Sequence, residues 1–182
     1  MTTHEHPANL ADPGGFTLIE LVLVVGTISV LAAIAVPNML RARASADEAS
    51  AVASLRSISS AQSAFAVSCG AGGYAQRLSD LAKITAGNVH AFIGPDLALD
   101  TSVKDGYLIT LEKEGSPDVT DVAAAGASCN SAVMPSVSSY WAGAAPQRVG
   151  TRAFAVDHRS TIFQRNSAAI LNPVPPGTLP IR

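Results

Sequence analysis

Charged side chains are scarce in this sequence of 182 residues. Lysine, arginine, aspartate and glutamate together make up 14% of it, against roughly 25% in ordinary soluble domains. Aromatic residues make up 5%, and the formal net charge is -2. This near-neutral balance gives no indication of a basic surface for nucleic acid or for an anionic membrane, so no nucleic-acid partner is expected.

Cysteine is limited to Cys69 and Cys129. They form neither a CxxC pair nor a spaced set of metal ligands. In an exported domain they would join in one disulfide, closing a loop of about 60 residues worth roughly 4 kcal/mol in the chain-entropy model. Two unpaired thiols are the alternative, and the sequence leaves both interpretations open.

Motifs for catalysis or metal binding are also missing from the sequence. The histidines match no HExxH or other metal pattern, and no serine lies in a GxSxG elbow. His158, beside Asp157, is interpreted as a turn residue and not as a catalytic base. We therefore expect no enzyme activity, no cofactor and no metal. The histidines considered are His4, His6, His90 and His158, and the serines are Ser138, Ser139 and Ser160.

The most prominent feature that is present is a long apolar run near the N-terminus. Residues 21–40 are twenty residues without a charge, which as a helix span about 30 Å, the thickness of the hydrocarbon core of a bilayer. A cleaved secretory signal would have an apolar core of only about 7–15 residues, preceded by basic residues. Residues 1–15 contain no lysine or arginine, so a transmembrane helix is the better interpretation.

A single carboxylate, that of Glu20, precedes this run within the apolar segment. A carboxylate in hydrocarbon is costly unless it is paired with charge and hydrogen bonds. An amine created by cutting the chain before Phe16 would lie one helical turn away, on the same face of the helix. The alternative is a tolerated polar residue whose side chain reaches the membrane interface.

The segment Gly-Phe-Thr-Leu-Ile-Glu-Leu at residues 15–21, followed by an apolar stretch and Pro37-Asn38, resembles the class III leader of type IV pilins and type II secretion pseudopilins. The resemblance is dense over residues 15–43 and looser through Leu55. It implies that a prepilin peptidase cuts between Gly15 and Phe16 and methylates the new Phe16 amine.

The same resemblance implies roles for residues inside the helix. Glu20 would meet the Phe16 amine of an incoming copy and so set the axial register of a filament. Pro37 lacks an amide hydrogen, and a kink in the helix is expected there. Arg41 and Arg43 would lie in the cytoplasm by the positive-inside rule, whereas the resemblance implies a periplasmic head, so the two indications of orientation conflict.

The pattern predicts an α+β fold, as in a pilin head. One long kinked helix runs from Phe16 to about Ser68, and its part beyond the membrane segment packs on a small antiparallel sheet. A short helical turn is expected at residues 78–83, and a hairpin turning at residues 158–160. The four predicted strands are Tyr107–Glu112, Ser139–Gly143, Thr151–Asp157 and Thr161–Gln164.

Five segments are predicted along the chain. Because the last of them contains Pro173, Pro175, Pro176 and Pro180, it is not expected to extend the sheet. The segments are a prepilin leader over residues 1–15, a transmembrane and filament-core helix over 16–40, an amphipathic continuation over 41–68, a globular head over 69–168 and a proline-rich tail over 169–182.

The resemblance implies a structural subunit of a type II secretion pseudopilus or a type IV pilus. The pseudopilus is slightly favoured because residues 150–162 resemble a pseudopilin hairpin. Its partners would be copies of itself, other pilins or pseudopilins, the prepilin peptidase, and an inner-membrane assembly platform with a separate ATPase. It would be anchored once in the bacterial inner membrane before assembly. A minor pilin or membrane-tethered module that captures DNA or a surface ligand is the alternative.

Overall fold

The computed structural model describes residues 15–85, 90–148 and 151–181. Residues 1–14 of the expected leader, Gly150 of the expected pseudopilin-like hairpin and Arg182 of the tail lie outside the described residues. The chain forms two compact units, residues 1–42 and 43–182. Helix α1, Leu18–Ser68, begins in the first unit and ends in the second.

The first unit consists of the N-terminal part of α1. One helix in the described part of the chain is long and apolar enough to cross a membrane, judged by length and composition. Its most apolar 18-residue window has a mean hydropathy of 2.5 and no buried residue. The predicted helix from Phe16 to Ser68 is confirmed to within two residues. It continues through Pro37 without interruption, and the kink there stays a prediction.

The second unit is built around a six-stranded sheet in which every neighbouring pair is antiparallel. A long helix with an antiparallel sheet is the α+β, pilin-like arrangement that the sequence predicted. The strand order is β1 (Thr101–Lys104), β2 (Tyr107–Lys113), β5 (Tyr140–Pro146), β6 (Ala153–Asp157), β7 (Ile162–Arg165) and β8 (Leu179–Pro180), while β3 (Asp121–Ala123) and β4 (Ser136–Val137) form a separate pair.

The four predicted strands correspond to β2, β5, β6 and β7, with two of the eight ends unchanged and the others shifted by one to three residues. The predicted hairpin is confirmed: β6 and β7 pair through Val156 and Ile162, and the Ser160 N–H closes the turn on the Asp157 carbonyl at 3.0 Å. The short helical turn is also present, as α2 over Leu78–Leu81. Strands β1, β3, β4 and β8 were not predicted, because each has only two to four residues.

The core of this unit lies between α1 and one face of the sheet. Leu55, Ile58 and Phe65 have no exposed surface and recur at the three- and four-residue spacing that places them on one helix face. They belong to the same buried cluster as Ile109 and Phe154 of the sheet. Burying side chains of this size contributes about 1.5–3 kcal/mol each, so this face holds the helix to the sheet.

The proline-rich tail covers part of the opposite face, and the expectation that it would not extend the sheet is wrong. Ile170 is 3% exposed and packs with Trp141, Ala153 and Ala155 of the sheet. Further along, β8 pairs with β7 at the sheet edge. A proline is compatible with this position because its missing N–H faces away from the ladder at an edge strand.

Two further contacts tie the loop after α1 to the rest of the unit. Cys69 and Cys129 form a disulfide that spans 60 residues of sequence, so the first of the two interpretations of these cysteines is the one observed. Asp80 is fully buried, and its carboxylate accepts hydrogen bonds from the Val133 N–H at 2.7 Å and the Met134 N–H at 3.3 Å. Lys83 lies 3.2 Å from the same carboxylate, so the buried charge is compensated.

Candidate assembly surface

The first unit presents an apolar helix surface with no contact to cover it among the described residues. Large side chains from Phe16 to Leu40 are exposed, Leu18 by 80% and Ile19 by 75%. Exposed apolar surface on this scale marks an interaction with lipid or with another protein. Gly26 lies at the centre of a shallow apolar depression lined by Leu23 and Val30. A helix can approach closely at such a small residue.

Most polar side chains of this helix are satisfied within the helix itself. The Thr27 hydroxyl donates to the Val24 carbonyl at 2.8 Å and the Ser29 hydroxyl to the Val25 carbonyl at 2.8 Å. The Asn38 amide donates to the Ile34 carbonyl at 3.2 Å. The two hydroxyls can therefore enter an apolar environment without a partner from outside.

Glu20 differs from these groups because it carries a charge. Its carboxylate accepts one long hydrogen bond, 3.4 Å from the Thr17 hydroxyl, and no cation pairs with it in the described part of the chain. One such bond leaves most of the acceptor capacity of a carboxylate unused. Among residues 15–40, Glu20 is thus the charged group that needs an external partner once it leaves water.

Thr17 begins the helix, a role that the sequence analysis missed. Its hydroxyl accepts the Glu20 N–H at 3.3 Å, and its carbonyl accepts the Leu21 N–H at 3.2 Å. Thr17 is therefore the N-cap and Glu20 the third helical residue, as in a capping box. The Thr-x-x-Glu spacing at residues 17–20 was the signal that could have revealed it.

The expected processing site lies just before this cap. Gly15 and Phe16 precede the helix and are exposed. A methyl group added at Gly15 would meet no atom within 4 Å, so the folded chain itself does not require glycine there. Any requirement for glycine at this position would come from a bound protein.

Two ion pairs at the end of the sheet where β5 ends and β6 begins were also missed by the sequence analysis. Arg148 lies 3.3 Å from Asp47, and Arg152 lies 2.5 Å from Glu48. The hydrogen bond from the Arg152 side chain lowers the pKa of Glu48, against the raising effect of burial. These pairs join α1 to residues about 100 positions later, and sequence spacing alone cannot reveal such contacts.

Ser139, His158 and Glu114 come together at the other end of the sheet. The Ser139 hydroxyl contacts both the Glu114 carboxylate and Nδ1 of His158, the latter at 2.6 Å. Glu114 lies 3.4 Å from the same Nδ1. A nucleophile–base–carboxylate relay needs the serine and the carboxylate on different ring nitrogens, so this cluster is a structural contact around the turn.

Comparison with known proteins finds a likeness to one type of filament subunit. A stretch of 51 residues is 45% identical to the type IV major pilin protein PilA of Myxococcus xanthus (strain DK1622), covering 28% of this chain and 23% of that protein. The matched stretch thus spans about a quarter of that protein's length. No family model matches the chain, and no solved structure matches it.

The fold and the first unit define a class of protein: an α+β protein with an N-terminal helix long and apolar enough to cross a membrane. The likeness to the major pilin, together with this apolar helix, supports the type IV pilin family for this chain.

Proposed function

We propose that this chain is a structural subunit of a type IV pilus. Residues 1–15 are removed as the leader, the Phe16 amine is methylated, and the processed chain polymerises through residues 16–40. Its work is structural, with no reaction catalysed by the head. The relative found is by its name a major pilin, which favours the pilus over the secretion pseudopilus that residues 150–162 suggested.

The single observation that supports this proposal most is the state of Glu20. The hydroxyls of Thr27 and Ser29 on the same helix each donate to a helix carbonyl at 2.8 Å, whereas the charged Glu20 carboxylate has one 3.4 Å hydrogen bond. After cleavage, the Phe16 amine of an adjoining copy supplies the missing cation. Leaving such a charge unpaired is strongly destabilising, so the pairing selects one axial register between copies.

The proposal is tested by substituting Glu20 and shearing filaments from cells. The variant Glu20→Ala is expected to lower the yield of sheared filaments at least about tenfold, because a pairing worth more than about 1.4 kcal/mol is lost. The matched control Ser29→Ala removes a hydroxyl that already donates within the helix, and it is expected to retain filaments. Filaments from Glu20→Ala at the wild-type yield would contradict the proposal.

Deletion of the gene distinguishes pilus from pseudopilus. A pilus subunit is expected to be required for twitching motility and dispensable for the profile of secreted proteins. Loss of secretion with normal motility would instead identify the second candidate, the type II secretion pseudopilin.

A further inference from the structure

A polar groove lies at one end of the six-stranded sheet, where β6 begins and β7 ends. Its volume is about 360 Å³, and no acidic side chain lines it. Arg152 is held there by Glu48 and Gln164. Arg165 is exposed and makes no side-chain hydrogen bond or ion pair within the described residues. Because Glu48 offsets the charge of Arg152, it is Arg165 that offers positive charge and unused N–H donors to an anionic partner. It is lined by Arg152, Gln164, Arg165, Asn166, Pro176, Gly177, Thr178 and Leu179.

The opposite end of the same sheet is acidic. Five carboxylates lie where β2 and β6 end, in the loop that leads to β3 and at the first residue of β3. Two basic side chains lie with them, which leaves a net of three negative charges. Asp118 is exposed and unpaired among the residues that the structure describes, and Asp121 is 57% exposed. The five are Glu112, Glu114, Asp118, Asp121 and Asp157, and the two basic residues are Lys113 and Arg159.

These two charged surfaces are separated by the length of the strands. Strands β2, β5 and β6 have five to seven residues, which corresponds to about 20 Å. The groove is at the start of β6 and the acidic residues are at its end, and the tail residues 176–178 line a depression on both sides. No ion pair joins the two sets of charges among the described residues, so one copy does not bring them together. Two copies aligned head to tail can do so.

We infer that the acidic end of one copy binds the polar groove, with its Arg152 and Arg165, of the next copy. This inference rests on the proposed function and names the contact between heads. Complementary charges favour the correct partner and orientation over others. Because the two surfaces differ, the contact is heterologous and repeats without closing, which builds an open helical filament and not a two-fold dimer.

The inference is tested by the same charge reversal at the two ends of the sheet. In full-length chains, Arg165→Glu places a carboxylate in the groove and is expected to lower the yield of sheared filaments about tenfold. Arg159→Glu makes the identical change at the end that is already acidic, and it is expected to leave the yield at or above that of the wild type. Both variants are expected to keep the native core, and resistance to protease in the membrane fraction is the control that checks this.

A reciprocal variant completes the test. Asp118→Arg is expected to lower the yield, and the double variant Arg165→Glu with Asp118→Arg is expected to recover most of it. Equal yields from Arg165→Glu and Arg159→Glu, or no recovery in the double variant, would overturn the inference.

Two further outcomes distinguish a failure of the proposed function from binding of a soluble polyanion in the groove. If the wild-type chain gives no sheared filaments, the proposed function fails and the inference fails with it. If Arg165→Glu filaments form at the wild-type yield but no longer retain inorganic polyphosphate, the groove binds a soluble polyanion. In that case the contact between copies is wrong while the proposed function stands.

Discussion

The buried side chain of Gln62 allows the stability of the head to be predicted most closely. Gln62 lies on α1 and has no exposed surface. Its amide nitrogen donates to the Ala75 carbonyl at 2.7 Å, and its amide oxygen accepts the Ala75 N–H at 2.8 Å. Ala75 is itself 2% exposed, so water cannot replace either bond without opening the core.

Gln62→Ala is expected to destabilise the head by about 3–5 kcal/mol. Each bond contributes about 1 kcal/mol net, and each buried backbone group left without a partner costs about 1–3 kcal/mol. The cavity left by the removed atoms adds to this cost. The sum places the substitution among the severe ones for a single domain.

The assay is urea unfolding of the full-length chain in detergent, followed by the fluorescence of the single tryptophan. Trp141 is 8% exposed and reports on the sheet that α1 covers. Gln76→Ala is the matched control, because Gln76 makes one side-chain bond, to the Pro135 carbonyl at 2.9 Å, and is expected to cost about 1 kcal/mol. A Gln62→Ala cost no larger than that of Gln76→Ala would refute the reasoning.

Two other predictions concern the ion pair and the tail. The lowered pKa of Glu48 means that the pair with Arg152 stabilises the head above the unfolded pKa and loses this contribution as pH falls through the folded pKa. The unfolding free energy should therefore drop by about 0.5–1 kcal/mol more in the wild type than in Glu48→Gln between neutral pH and about pH 3. Parallel pH profiles would contradict this. Ile170→Ala should lower the free energy of unfolding in urea by about 2 kcal/mol. Leu171 is 67% exposed, so Leu171→Ala should cost almost nothing. Equal costs would show that the tail does not pack on the sheet.

Much of the first unit could be predicted from the sequence because its signals are local. An uncharged run of twenty residues and a lone Glu20 near the helix start both follow from neighbours within a few positions, and so does the helical spacing of apolar positions through Phe65 in the second unit. The hairpin of β6 and β7 was also predictable, since its strands are separated by a short turn.

The tail shows where such local signals fail. Its prolines indicate that the tail does not form a central strand. They do not indicate whether it forms an edge strand. Pairing of Pro180 with Phe163 and burial of Ile170 against Trp141 depend on which face of the sheet is left uncovered. That face is defined only when α1 has packed on the other.

The sequence by itself determined that the chain has a membrane-length apolar helix, one carboxylate that needs a partner, and an α+β head without a recognisable catalytic motif. Tertiary structure alone decided that Gln62 bridges to Ala75, that Glu48 pairs with Arg152, and that Arg165 and Asp118 lie at opposite ends of one sheet. The physical reason is the sequence distance over which each effect acts. Helix periodicity and the cost of a charge in lipid depend on residues that are near one another in the sequence. The ion pair joins residues 104 positions apart, and only the complete packing of helix, sheet and tail brings them together.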